Sequence, residues 1–146
     1  MAEMTRTEAG TRVVVRSEPA YQAYQVLHIA FVLAPTVAGL DKFFHWLVNW
    51  DQYLAPQIAR ILPFSGHTFM LAVGVIEVIA GLLVAARPRW GAGVVAAWLA
   101  GIVVNLVIQG RYFDIALRDV GLMLAAVALG RLALLYDLPA RRARAG

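Results

Sequence analysis

The chain has 146 residues, 61% hydrophobic and 15% charged, with a mean hydropathy of +0.69. Soluble domains carry roughly 45–50% apolar and about 25% charged residues, so this composition excludes an ordinary soluble domain. The absence of cysteine excludes disulfides, thiolate nucleophiles, thiolate-held zinc and iron–sulfur clusters. The net charge of +4 sits in arginines of the tails and one short loop, with no basic stripe interleaved with aromatics. It reads as the positive-inside bias of a membrane protein and attraction to anionic lipid, and no nucleic-acid partner is expected.

Residues 1–18 are polar and mixed in charge, and the VVV run within them is too short for a signal-peptide core. They are expected to form an irregular cytoplasmic arm, with Ser17 or Glu18 before Pro19 opening the first helix. The first span is predicted from Tyr21 to Val48, with Pro35 inside it as a kink. The segment WDQYLAPQIARILP, from Trp50 to Pro63, is too short and too polar to span. Tyr53, Leu54, Ile58 and Ile61/Leu62 recur at helical spacing, which predicts a short amphipathic helix in the interface, broken or started at Pro56.

The second span is predicted from Thr68 to Ala86, with a tight turn at Arg87, Pro88 and Arg89. The third runs from Trp90 or Gly91 to Gln109, and the fourth from Ile115 to Tyr136. A basic tail, PARRARAG, is expected to be irregular. The predicted class is therefore all-α: a polytopic four-helix membrane bundle over residues 19–137, with a short interfacial amphipathic helix between spans one and two and a cytoplasmic tail at 138–146. One side collects Arg6, Arg12, Arg16, Arg87, Arg89, Arg131, Arg141, Arg142 and Arg144, and the other keeps only Arg60 and Arg111 in loops. This asymmetry predicts both termini in the cytoplasm.

With that orientation, seven polar side chains fall at one depth. Asp41, Lys42 and His45 lie in the outer part of span one. Glu77 lies about nine residues, roughly 14 Å, into span two. Asn105 lies near the outer end of span three, and Arg118 and Asp119 lie in the first turns of span four. An ionisable group at membrane depth costs several kcal/mol unless it finds a partner or water, so a polar centre between the helices is expected. Gly74 and Gly81 give Glu77 a smooth side, and small residues let helices approach closely. Gly101 shares a face with Asn105, and Gly121 with Asp114 and Arg118. On each helix the polar group is thus expected to turn inward.

Two readings of this centre compete. In one, Glu77 pairs with Arg118, and Asp41 or Asp119 with Lys42, locking register without chemistry. Lys42 can also snorkel. In the other, the groups line a pocket for a small ligand, a quinone head group or a proton path. Haem is disfavoured, because His28 and His45 stand seventeen positions apart on one helix and only His45 with His67 remains. Metal binding by His45 with Asp41 ranks no higher, so no metal is expected. Trp46, Trp50 and Trp90 fit interfacial positions, Trp98 fits core filling, and His28 fits packing against a neighbour.

The stretches AGLDKFFHWLVNWDQYLAP, GVIEVIAGLLVAARPRWGA and YFDIALRDVGLML together resemble the DoxX-like family of small four-helix integral membrane proteins. The resemblance lies in a polar-tipped first helix, a glutamate in the second and an Arg-Asp pair in the fourth. It implies a bacterial inner-membrane subunit associated with quinone-linked oxidation, and it carries over no catalytic residue. The expected function is an accessory or anchoring subunit, not catalytic alone, with lipid, partner subunits or further copies of itself as partners. A proton-coupled carrier acting as a dimer, with Glu77 titrating, and a purely structural subunit of a larger assembly are the alternatives.

Overall fold

The computed structural model describes residues 18–145, with side chains to Asp137; the expected N-terminal arm lies outside the described residues except for Glu18. Its helices are α1 (Pro19–Phe44), α2 (Pro56–Ala59), α3 (Gly66–Ala86), α4 (Pro88–Gln109) and α5 (Phe113–Ala145), with a 3-10 turn at Trp50–Tyr53. Four of them are long and apolar enough to cross a membrane. At 1.5 Å per residue the 21 residues of α3 span roughly 31 Å, the thickness of a bilayer core. α1 packs chiefly on α3 and α4 on α5, while α3–α4 and α1–α5 contacts join the two pairs. We call the end at Pro19, Ala86 and Tyr136 basal, and the end at Phe44, Gly66 and Gln109 distal.

The helix ends follow local chemistry. Prolines occupy the first turns of α1, α2 and α4, where the missing N–H costs nothing. Ser65 caps α3, accepting from the Thr68 N–H at 3.1 Å. Gly110, left-handed at φ 70°, ends α4. Pro35 lies within α1 without ending it, and beside it the Thr36 hydroxyl donates to the Val32 carbonyl at 2.6 Å. The backbone of α5 stays helical to Ala145, where composition predicted an irregular tail; the alanines and arginines there are strong helix formers. The segment after α1 is not one amphipathic helix. The 3-10 turn and α2 share it, and Pro56 opens the second piece.

The basal half holds an apolar core: Tyr24, Phe31, Ala80, Val84, Ala92, Val95, Ala126, Leu129 and Ala133. Tyr21, Tyr24 and Tyr136 cluster at its edge, with ring centroids 5.2–6.2 Å apart. His28 fits this half as expected, its Nε2 lying 2.9 Å from the Val84 carbonyl. Outward, Val26, Ile29, Leu33, Val37 and Leu40 form an exposed stripe on α1, and α3 to α5 carry similar apolar faces. A surface this apolar is the outside of a multi-pass membrane protein, with lipid as its solvent.

α1 and α3 approach closely at two glycines. A Cβ added to Gly39 would lie 2.5 Å from the Gly74 carbonyl oxygen, and one on Gly74 would lie 2.7 Å from that of Gly39. The same two positions would meet the Cβ of Glu77 at 3.0 Å and the Cβ of Lys42 at 3.1 Å. Each glycine therefore receives the stem of the charged residue from the opposite helix. The antiparallel crossing of G-x-x-K on α1 with G-x-x-E on α3 thus sets the polar centre in place.

Candidate functional site: a polar centre in the distal half

Four of the described polar side chains are buried: Asp41, Lys42, Glu77 and Asp119. Lys42 Nζ lies 2.5 Å from Glu77 Oε2, and the two side chains are only 3% and 8% exposed. The Trp50 ring covers the ammonium, its centroid 3.9 Å from Nζ. A desolvated cation–π contact of this kind contributes about 2 kcal/mol. On the other carboxylate oxygen, Trp98 Nε1 donates to Glu77 Oε1 at 3.4 Å. Lys42, Glu77, Trp50 and Trp98 thereby tie α1, α3, the 3-10 turn and α4 together.

Asp41 supports this arrangement from the side. α1 ends at His45, whose backbone is left-handed (φ 55°, ψ 37°) and whose N–H returns to the Asp41 carbonyl at 2.7 Å. The Asp41 carboxylate then accepts from the Trp46 N–H at 2.9 Å, from the Leu47 N–H at 3.1 Å and from Trp50 Nε1 at 2.7 Å. Charge-assisted bonds to backbone N–H groups are among the stronger ones. They hold the chain folded back after α1, and they aim Trp50 at Lys42. Among the described residues Asp41 thus pairs with no cation; it organises the segment that covers one.

Asn105 does similar work for the next stretch. Its Nδ2 donates to the Tyr53 carbonyl at 2.6 Å, and its Oδ1 accepts from the Ala55 N–H at 3.0 Å. Ala55 is fully buried, so the amide meets peptide groups that water does not reach. Gln109 Nε2 adds a bond to the Gln52 carbonyl at 2.8 Å. The segment between α1 and α3 is therefore stitched across the distal mouth of the bundle.

The expected Glu77–Arg118 pair does not form. Glu77 pairs with Lys42, which does not snorkel. Arg118 turns outward, its side chain 64% exposed, and donates through Nε and Nη2 to Asp119 Oδ1 at 3.1 and 3.0 Å. Adjacent helical residues project about 100° apart, so only one of the two can face the interior, and Asp119 does. Gly101 and Gly121 are likewise exposed, with no heavy atom within 4 Å of an added Cβ. The small-residue faces of α4 and α5 are thus not the inward faces that the sequence suggested. Trp50 turns inward onto Lys42, whereas Trp46, 82% exposed, and Trp90 face outward.

His45 lies apart from Lys42 and Glu77. Its ring stacks on that of His67, with centroids 5.7 Å apart and planes at 21°. His67 Nδ1 lies 2.9 Å from Asp51 Oδ2. Sequence reasoning assigned no role to Asp51. No periodicity joins it to His67, and only the fold-back after α1 brings the two together.

The chain matches no family model, no curated protein and no solved structure. Its class rests on the architecture itself, a four-helix bundle with four apolar helices of membrane-spanning length and an ion pair buried among them.

Proposed function

We propose that the chain is an accessory or anchoring subunit of DoxX-like type in the cytoplasmic membrane of a bacterium, associated with a quinone-linked oxidoreductase. Both termini lie in the cytoplasm, and the distal mouth faces outward. The arginine asymmetry of the loops supports this orientation, and the sequence resemblance supports the oxidative setting.

The observation that carries the accessory role is the contrast between Glu77 and Arg118. Both oxygens of Glu77 have partners within the chain, so the group a carrier would titrate is committed to holding helices together. Arg118 instead stands exposed near the start of α5, with Leu117 and Asp114 in the turn before it also exposed. A guanidinium at a membrane-facing position is costly unless headgroups or another protein cover it. The α5 face through Asp114, Arg118 and Gly121 is where a partner subunit docks.

The test is purification from native membranes in lipid nanodiscs, followed by native mass spectrometry. A partner subunit is expected at fixed stoichiometry, and Arg118→Leu is expected to release it while the chain still accumulates. Recovery of a lone, ligand-free chain under these mild conditions overturns the reading.

A further inference from the structure

We propose that His45, Asp51 and His67 form a binding site for one late first-row divalent transition-metal ion of the zinc class, set at the distal surface and separate from the Lys42–Glu77 centre. One donor atom from each of the three residues lies within 4.8 Å of the other two. His67 Nδ1 and Asp51 Oδ2 are already 2.9 Å apart. Zinc holds nitrogen at about 2.0–2.1 Å and carboxylate oxygen at about 2.0–2.2 Å, so an ion seated between these two atoms would replace the hydrogen bond they now share. Two imidazoles and one carboxylate suit zinc, iron, nickel or copper and not calcium or magnesium, which take oxygen donors.

A second, independent observation points to the same place. Asp51 Oδ1 is enclosed and has no hydrogen-bond partner among the described residues. A buried carboxylate oxygen of this kind calls for a donor or an ion. The backbone, too, presents the ligands at some cost. His45 is one of only two non-glycine residues at positive φ among the described residues, a conformation that costs about 1–2 kcal/mol. That turn sets the imidazole beside His67 at the first turn of α3. Asp41, the nearer carboxylate in sequence, is committed to the amides after α1 and to Trp50, which leaves Asp51 as the acidic ligand. Bound metal would join the end of α1, the 3-10 turn and the start of α3, three pieces far apart in sequence. Three protein ligands leave a position open to water or another donor.

The experiment uses the full chain, purified without a histidine tag, stripped with a chelator and titrated with Co2+, with Zn2+ as competitor. One Co2+ per chain is expected, with ligand-field bands that Zn2+ abolishes. His67→Ala and Asp51→Ala should each weaken binding by at least about tenfold. His45→Asn should do the same, since asparagine accepts the left-handed conformation. His28→Ala, in the basal half, should leave binding unchanged. Thermal melts of the metal-free variants verify folding, and His67→Gln replaces His67→Ala if the latter melts early. Equal Co2+ affinity in the wild type and the folded His67 variant overturns the proposal, as does the absence of saturable one-per-chain binding at millimolar Co2+.

Discussion

Removing either partner of the Lys42–Glu77 pair should harm the protein far more than removing both. At 2.5 Å and an effective dielectric constant of about 20, the gross attraction is about 7 kcal/mol. Desolvating each ion costs several kcal/mol, so the pair is close to neutral overall. The single variants Lys42→Met and Glu77→Gln lose the attraction and leave the other charge, or an unmatched polar group, in a dry site. That loss is about 3–5 kcal/mol for a buried pair broken on one side, or a fall in melting temperature on the order of 10–20 °C for a chain of this size. The double variant Lys42→Met/Glu77→Leu removes both charges and should recover most of the loss. Fluorescence-detected size exclusion after heating, in one detergent, reads all four proteins. Single variants that melt within a few degrees of the wild type would refute the argument, as would a double variant no better than the worse single one. A carrier makes a different prediction, in which Glu77→Gln accumulates normally and only flux is lost.

Two further predictions concern the frame around that pair. Gly74→Ala forces a methyl group towards the Gly39 carbonyl and should cost about 1–3 kcal/mol in thermal melts; Gly101→Ala, in open space, should be neutral or stabilise by up to about 1 kcal/mol through helix propensity. Asn105→Leu strands the Tyr53 carbonyl and the buried Ala55 N–H, each worth about 1–3 kcal/mol, and limited proteolysis should then cut between residues 50 and 60 well before it cuts the helices.

The amino-acid sequence by itself determined the four spans, their approximate ends and the level at which the polar groups lie. Hydropathy and length measure position along a helix axis, and a bilayer constrains that axis directly. The glycines beside Glu77 were also legible as a close-approach face, and their partner G-x-x-K on α1 carried the same spacing. What the sequence left open was rotation about each axis and the choice of neighbour. Arg118 and Asp119 are adjacent, and packing decided which one turned inward. Glu77 had two cations within reach of its depth, and the α1–α3 glycine crossing gave it Lys42. Asp41 and Trp50 acquired their roles from the fold-back after His45, and Asp51 met His67 by the same route. Such meetings depend on side chains distant in sequence converging at one point, which no periodicity along a single helix records.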